Sequence, residues 1–300
     1  MFQVMLQPHN RANSCCNYMC ALAVTDCCMM YVAAHYWVVT SGFFRGIYFY
    51  ECKMLAWTFN LFSLMGIFII LFMTIDRFIV VRFPLKAPLL CTSKRARITI
   101  TCVVIAMLAY TAPYFYTAGL VNNATCAAIV TKTRFTTIYS WINIFLVSVL
   151  PFTTLLTMNV YIINIIKKSE RYARRATKTT KDSEAQNGEP KTTASRKSRE
   201  TQLTVMLLLV TFTFLLLTLP LYARYIFTIA VDYQSDPFLY ALYIFLYHLS
   251  NKLYFTNNAI NFYLYCIGGA KFRADLLKVL SCEKQEGLRS TPSTSTTTAI

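Results

Sequence analysis

The stretch Thr74-Ile75-Asp76-Arg77-Phe78 closes a long apolar run and sets the architecture of the chain. Residues 54–75 carry no charge over 22 positions, enough for a membrane-spanning helix, and the run then meets an acid and a base side by side. Arg77 suits a helix C-terminus, where a cation complements the helix dipole and a long stem reaches the headgroups. Asp76 opposes that dipole and is costly near a bilayer unless it is paired. The two residues therefore predict a functional site at the end of this helix.

The whole chain has the composition of a polytopic membrane protein. Hydrophobic residues make up 56% of its 300 residues, charged residues make up 14%, and the mean hydropathy is +0.45. These values exclude a soluble domain with one buried core. They predict an all-α transmembrane helix bundle with six spans: 17–40, 54–77, 98–118, 138–166, 201–226 and 241–266.

The net charge of +16 follows the membrane topology and does not indicate a nucleic-acid partner. Basic residues fall in alternate loops, 22 on one side of the predicted spans and four on the other. By the positive-inside rule the richer side is cytoplasmic. Both termini of this sequence are therefore expected inside the cell.

Cysteine positions agree with that orientation. Of the eleven cysteines, only Cys52 and Cys126 fall in predicted extracellular loops, where the environment is oxidising. We expect a disulfide between them, and we expect the other nine to pack in the membrane or the cytosol. Asn123 begins a sequon in the same loop as Cys126, so it is a candidate glycosylation site.

Composition also divides the chain into segments around the bundle, which occupies 17–267. Residues 1–16 hold no apolar run long enough to cross a bilayer and are interpreted as a cytoplasmic loop remnant. Residues 167–199 are basic, hydroxyl-rich and almost free of apolar side chains, which predicts a disordered intracellular loop. An amphipathic membrane-surface helix is predicted over 268–282, and a disordered Ser/Thr-rich tail over 283–300.

Several motifs at consistent offsets resemble those of rhodopsin-like (class A) G protein-coupled receptors. The triplet Asp76-Arg77-Phe78 ends a span 25 residues after Cys52, as in the third helix of that family. Asn17-Tyr18 and the acid Asp26 resemble the start and the buried acid of the second helix. The resemblance extends as far as Cys282.

The later spans carry the same resemblance. Phe214 and Pro220 give the Phe-x5-Pro framework of the sixth helix, whose proline kink acts as a lever. Residues 257–265 resemble the seventh-helix Asn-Pro-x-x-Tyr motif, with Phe262 in place of proline. The family's first helix has no counterpart, so we interpret the chain as an N-terminally truncated receptor.

The resemblance implies a switch that couples to a G protein. In the family, an acid twenty residues before the sixth-helix proline pairs with the triplet arginine, and Glu200 stands at that offset here. Leu85 matches the hydrophobic residue of the second intracellular loop that docks the G protein. The implied coupling residues are Asp76, Arg77, Leu85, Glu200, Phe214, Pro220, Asn261 and Tyr265.

Asp26 predicts a second polar site inside the membrane, since an intramembrane acid needs a partner or an ion. Asn257 and Asn261 are the expected partners, because an i,i+4 spacing puts them on one helical face. In the family this constellation holds a sodium ion, but Gly66 replaces the usual serine and would supply no ligand. The alternative is a protonated carboxylate that is hydrogen-bonded to its neighbours. No other cofactor is expected.

Two departures from other receptors narrow the ligand class. Phe59 stands where amine receptors carry an acid, and Phe255 stands where opsins carry the retinal lysine. Arg224 and Lys252 face no acid in the outer half, which favours a ligand carboxylate. The alternative is that Arg224 reaches outward and Lys252 pairs with carbonyl or hydroxyl groups. The ligand candidates are Phe59, Tyr222, Arg224, Tyr225, His248 and Lys252.

Asn159, Thr218 and the altered seventh-helix motif resemble FMRFamide-type and other invertebrate peptide receptors. This resemblance implies a plasma-membrane receptor that transduces a neuropeptide signal to heterotrimeric G proteins. The Ser/Thr-rich tail is a candidate for regulation by receptor kinases and arrestin, and the surface helix is expected to contact lipid. Cys282, which follows that helix, is a palmitoylation candidate, and the alternative is a free cytosolic thiol.

Two other functions remain open at this point. A chemosensory receptor of the same fold would take a small anionic ligand. A six-span channel or transporter fits the helix count, but the sequence shows no pore loop, repeated gating charges or duplicated half. An enzyme is not expected, because no nucleophile–base set, phosphate loop or metal cluster is recognisable.

Overall fold

The structure is a computed structural model that describes residues 14–40, 48–121, 125–128, 134–180, 191–233, 235–268, 273–274 and 277. The expectations for the glycosylation site Asn123, for the palmitoylation candidate Cys282 and for the tail 283–300 fall outside these ranges. So does most of the predicted surface helix 268–282.

Long helices dominate the described part of the chain, and the predicted all-α bundle is confirmed. The helices are α1 (Ser14–Thr40), α2 (Phe49–Arg82), α3 (Ala87–Leu90), α4 (Ser93–Thr111), α5 (Tyr114–Thr117), α6 (Arg134–Ile144), α7 (Leu150–Thr180), α8 (Lys191–Ala230) and α9 (Pro237–Gly268). A short antiparallel hairpin, which the sequence pattern did not predict, joins β1 (Ala118–Val121) to β2 (Thr125–Ala128). Its register places Leu120 opposite Cys126.

Among the described residues, four helical stretches are long and apolar enough to cross a membrane: Ser14–Val39, Phe49–Arg82, Trp141–Lys168 and Thr204–Arg224. The other two predicted spans are also helical, as α4 and α9. α4 has three cations close to its start, and α9 carries several asparagines, so both are less apolar than the four.

Several predicted boundaries were wrong. α1 begins at Ser14, inside the segment interpreted as a loop remnant. α7 continues to Thr180 and α8 begins at Lys191, so both ends of the predicted disordered loop 167–199 are helical in the structure. The physical reason is that adding a residue to an existing helix costs much less than nucleating a new one. Lys, Arg, Glu and Ala, which are frequent in these ends, are also good helix formers.

The third predicted span, 98–118, differs from the structure at both ends. The helix begins earlier, at Ser93, because the Thr92 side chain caps it by accepting a hydrogen bond from the Arg95 amide at 3.3 Å. It ends at Thr111, two residues before Pro113, and the chain then continues through α5 into the hairpin.

The sequence Leu150-Pro151 produces the irregularity that its proline predicts. Pro151 has no amide to donate to the preceding turn. The backbone from Phe145 to Val149 widens into a π-helical turn, in which the Leu150 amide bonds the Phe145 carbonyl. The missing Pro151 amide accounts for this widened turn.

The bundle core lies between α1, α2, α7, α8 and α9. Its fully buried side chains include Leu22, Ile70, Met73, Leu155, Val210 and Tyr265. α8 packs most extensively against α9, and α1 against α2, whereas α8 touches α7 and α2 only sparingly. The large exposed side chains Tyr31 and Trp37 lie on the outside of α1, as expected for a surface that meets lipid.

Candidate functional site

Asp76 and Arg77 form a buried ion pair near the end of α2. Arg77 Nη2 lies 2.6 Å from Asp76 Oδ2, and the two residues are only 4% and 7% exposed. Ser14, at the start of α1, donates its hydroxyl to the same carboxylate oxygen at 3.0 Å. The structure thus gives Asp76 the partner that its unfavourable place at a helix C-terminus requires. It also keeps Arg77 away from the surface of the bundle.

Among the described residues, the Arg77 guanidinium forms fewer hydrogen bonds than its nitrogens allow. Its Nη2 also lies 3.5 Å from the Ser14 hydroxyl, but within the described residues its buried Nε has no hydrogen-bond partner. Glu200 lies in α8, and the placement of its side chain is outside the described part of the structure. The Glu200–Arg77 pair therefore stays a prediction. Sequence reasoning missed Ser14, because a hydroxyl 62 residues away from Asp76 gives no local signal.

Cys91 lies just before α4 and touches the same site. Its thiol donates to the Asp76 carbonyl at 3.5 Å, with Cys91 half-buried. Burial, followed by the charge of the Asp76 carboxylate, raises the pKa of the Cys91 thiol to about 12. The thiol is therefore protonated and weakly nucleophilic in this arrangement.

Asp26 and Asn261 meet in the middle of the bundle. The Asn261 amide donates to Asp26 Oδ2 at 2.8 Å, and both side chains are buried. Asn257 is buried on the same face of α9, but its carbonyl oxygen has no hydrogen-bond partner among the described residues. The structure therefore joins α1 to α9 through Asn261.

Sodium fits this site only in part. Asp26 and Asn257 offer oxygen ligands of the kind that hard cations prefer. Gly66 offers none, and a Cβ built at Gly66 would meet nothing within 4 Å, so the replaced serine leaves open space. We derive no step through a sodium ion.

The remaining coupling residues occupy contrasting environments. Leu85 is 93% exposed at the turn between α2 and α3 and is free to enter a partner. Phe214 and Tyr265 are buried in the core, whereas Pro220 lies inside the continuous helix α8. Two residues before Pro220, Thr218 donates to the Phe214 carbonyl at 2.7 Å.

The two cations proposed for the ligand are separated in the structure. Arg224 is buried, and its guanidinium carbon lies 5.0 Å from the centre of the Tyr247 ring, a cation–π distance. Lys252 and His248 are exposed on α9, with His248 edge-on to Tyr247 at 5.4 Å. Arg224 is thus buried within the bundle, whereas Lys252 and His248 lie on its surface. The roles of all three as ligand residues stay predictions.

The other ligand candidates divide in a similar way. Phe59 is half-buried on α2, with its ring 6.0 Å from Tyr254 and 6.2 Å from Phe255 of α9. Tyr222 is buried on α8, whereas the side chain of Tyr225 lies outside the described residues. The interior candidates with a described position are therefore Phe59, Tyr222 and Arg224.

At the opposite end of α1 and α2 from Asp76, His35 and Glu51 form a second polar link. His35 Nε2 lies 2.8 Å from Glu51 Oε1, and the Tyr48 amide donates to Glu51 Oε2 at 3.2 Å. Cys52 is a disulfide cysteine in the structure. The side chain of Cys126 is not described, so its pairing with Cys52 stays a prediction.

A buried amide–hydroxyl contact links α7 to α8. Asn159 donates to the Thr211 hydroxyl at 2.9 Å, and both residues are 1% exposed. The Thr211 hydroxyl in turn lies 3.0 Å from the Leu207 carbonyl of its own helix. Asn159 was noted in the sequence only as a departure from the family, and its partner on α8 was not predicted.

Comparison with known proteins adds to this geometry. Residues 1–265 match the family described as 7 transmembrane receptor (rhodopsin family). The FMRFamide receptor of Drosophila melanogaster is 28% identical over 219 residues, which cover 69% of this chain and 35% of that receptor. Neurotensin receptor type 1 of Rattus norvegicus is 25% identical over 264 residues, which cover 83% of this chain and 60% of that receptor. The chain thus spans less than two thirds of the length of either relative.

Proposed function

Because this chain belongs to the rhodopsin family of seven-transmembrane receptors, we propose that it transduces the binding of an extracellular neuropeptide into nucleotide exchange on a heterotrimeric G protein. Two relatives that carry the names of peptide receptors support the ligand class. The family consists of receptors in the membrane, and the chain is not an enzyme.

The observation that carries the proposal is the buried Asp76–Arg77–Ser14 cluster beneath the exposed Leu85. Arg77 is held inside by the Asp76 carboxylate, whereas Leu85 is exposed and accessible to a partner. A ligand that binds better to a state with Arg77 released shifts the population toward that state. Release of Arg77 and docking at Leu85 would then occur together.

In the outer half, Arg224 supports a ligand with an anionic group. The Arg224 guanidinium stacks on the Tyr247 ring and hydrogen-bonds the Tyr243 hydroxyl, and a carboxylate would stabilise it more than either neutral group does. Phe59 and Tyr254 supply an aromatic surface for the rest of the ligand. A peptide with a free C-terminal carboxylate satisfies both features. A small anionic compound would pair with Arg224 but would leave the aromatic surface unused, so a chemosensory receptor is the second candidate function.

The topology proposed with this function places Arg77, Leu85 and both ends of the sequence in the cytoplasm of a plasma-membrane receptor. Cys52 and Cys126 then face outside as a disulfide, and Asn123 can carry a glycan. On the inside, the surface helix with Cys282 and the Ser/Thr-rich tail would meet lipid, receptor kinases and arrestin.

The test expresses the full chain and measures nucleotide exchange while a panel of peptides is applied, each as a C-terminal amide and as a free acid. Arg224→Gln should weaken the response to the effective free acid by about tenfold or more, since a charge-assisted hydrogen bond is lost. Lys53→Gln removes a cation from the same predicted side and should leave the response unchanged. Ligand-gated ionic current without nucleotide exchange would instead establish the channel alternative.

A further inference from the structure

Two tyrosines of α9 contact the buried Arg224 of α8. The Arg224 guanidinium carbon lies 5.0 Å from the centre of the Tyr247 ring, and Arg224 hydrogen-bonds the Tyr243 hydroxyl. Tyr243 and Tyr247 are four residues apart and therefore share one face of α9. Both tyrosines are half-buried. The position of the guanidinium thus depends on α9 as well as on its own helix.

Tyr247 is in turn held by a residue of α1. The hydroxyls of Tyr36 and Tyr247 are hydrogen-bonded to each other. A tyrosine side chain turns about two bonds, and a hydrogen bond at its far end restricts both rotations. Tyr36 is 40% exposed, so removal of its hydroxyl leaves no cavity in the core. Through Tyr247, Tyr36 brings a third helix into the placement of Arg224.

Tyr243 is supported from the α8 side. Tyr233, three residues after the end of α8, stacks on Tyr243 with the ring centres 4.2 Å apart. Such a pair of rings stabilises a contact beyond the area that it buries. The stack joins the outer ends of α8 and α9, which already pack extensively on each other. Tyr36 differs from Tyr233 because it links this pair of helices to α1.

A guanidinium with a fixed orientation can distinguish a carboxylate from an amide. Its N–H groups lie in one plane, and a carboxylate accepts two of them in parallel. An amide oxygen carries no charge and cannot form this parallel pair. The parallel pair depends on the orientation of the guanidinium plane, whereas a single hydrogen bond to an amide tolerates more motion. Fixing Arg224 therefore raises the affinity for a free acid more than the affinity for an amide.

We propose that Tyr36 is a positioning residue for the ligand: by holding the Tyr247 ring, it fixes the Arg224 guanidinium and sets the preference of the site for a free carboxylate over an amide. This role rests on the proposed function, which assigns Arg224 to the anionic group of the ligand. Tyr36 lies outside the ligand candidates that the sequence indicated. Loss of its hydroxyl leaves Arg224 in place but lets the guanidinium take several orientations.

The first experiment observes Tyr247 directly and needs no ligand. Tyr247 is replaced by 3-fluorotyrosine in the full chain, in phosphatidylcholine nanodiscs, and the fluorine resonance is recorded by NMR. The fluorine lies beside the hydroxyl, so Tyr36→Phe should shift its resonance, and Arg224→Gln should shift it as well. Tyr31→Phe is the matched control, because it removes the same atom from the same helix at a position that is 73% exposed. This control should leave the resonance unchanged.

The second experiment titrates the labelled chain with N-acetylphenylalanine and with its amide. In the parent chain the free acid should bind about five- to tenfold more tightly, since charge-assisted hydrogen bonds are roughly twice as strong as neutral ones. Tyr36→Phe should weaken binding of the acid by about two- to tenfold, the effect of holding one side chain in a single orientation, and should leave binding of the amide within about twofold. Tyr31→Phe should keep the preference of the parent chain.

The two experiments separate the link between the tyrosines from the ligand site. An unchanged fluorine resonance in Tyr36→Phe would show that the hydrogen bond to Tyr247 is absent and would overturn the proposal. Equal weakening of acid and amide would make Tyr36 a general support of the fold and overturn its role in specificity. If neither probe shifts the resonance of the parent chain, the assignment of Arg224 to an anionic ligand fails, and the role of Tyr36 fails with it. Nucleotide exchange plays no part in either measurement, so a failure of the signalling function would not be mistaken for a failure of this role.

Discussion

Replacing Thr211 with valine should raise the ligand-independent activity of this receptor. Asn159 of α7 donates to the Thr211 hydroxyl of α8 at 2.9 Å, and both residues are almost fully buried. α8 packs extensively on α9 but only sparingly on α7 and α2. The Asn159–Thr211 hydrogen bond is thus a main restraint on α8 in the arrangement in which Arg77 is buried.

The rise in ligand-independent activity depends on whether Asn159 or Thr211 is replaced. In Asn159→Leu the Thr211 hydroxyl still has the Leu207 carbonyl, so only the interhelical bond is lost. Such bonds in membrane bundles contribute about 0.6 kcal/mol on average, which shifts a two-state population by about threefold. Thr211→Val instead leaves the buried Asn159 amide without its partner, at a cost of about 1–3 kcal/mol, and should shift the population by roughly tenfold or more.

The assay measures basal nucleotide exchange at matched surface expression, with no ligand. In the double variant Asn159→Leu/Thr211→Val no amide is left unpaired, so basal exchange should fall back toward that of Asn159→Leu alone. Thr154→Val is the control, because the Thr154 hydroxyl donates only to the Leu150 carbonyl of its own helix. Equal effects of Thr211→Val and Thr154→Val, or additive effects in the double variant, would refute the reasoning.

Three further predictions concern the cytoplasmic switch and the disulfide. Glu200→Gln should raise basal nucleotide exchange, because it removes the predicted ion pair with Arg77 that stabilises the resting state; such a pair contributes about 0–1 kcal/mol when partly exposed and more when desolvated. Arg77→Ala should instead reduce coupling to the G protein. Unchanged basal exchange in Glu200→Gln would show that the pair contributes no stability to the resting state. Mass spectrometry of the intact protein should find Cys52 bonded to Cys126, and two free thiols there would also argue against the proposed orientation. Because burial and the Asp76 carboxylate raise its pKa to about 12, Cys91 should react slowly with iodoacetamide near pH 8 and faster as the pH approaches 12. Rapid labelling near pH 8 would contradict the half-buried position of this thiol.

The sequence was sufficient for the bundle and for pairings that have a regular spacing. The spacing of Asn257 and Asn261 indicates a common helix face, and the acid Asp26 needs a partner, so the hydrogen bond between Asn261 and Asp26 could be foreseen. Asn257 shares that buried face, but its side-chain oxygen has no hydrogen-bond partner among the described residues. The missing amide of Pro151 likewise predicts a widened turn. In each case the chemistry of one or two residues leaves few alternatives.

Which face of each helix points to the interior was harder to predict, although the spacing of residues in α9 contained this information. Lys252 precedes Asn257 by five residues, which is about 140° around an α-helix. If Asn257 faces the interior, Lys252 cannot, and His248 shares its face one turn earlier. The exposed positions of both residues in the structure follow this geometry. Ser14 offered no such signal, because its contact with Asp76 depends on how two separate helices pack.

The links at the two ends of α1 have a mechanical consequence. Ser14 and His35 are 21 residues apart, about 31 Å along the helix, close to the thickness of the hydrocarbon core. α1 and α2 are therefore fastened to each other at both membrane surfaces and should rotate as one rigid body. The extensively packed α8 and α9 form a second body, and Asn261 holds it to Asp26 near mid-membrane. When the two bodies tilt against each other, that hydrogen bond lies close to the pivot, and the largest displacements occur at the two membrane surfaces, where the proposed peptide and G protein would bind.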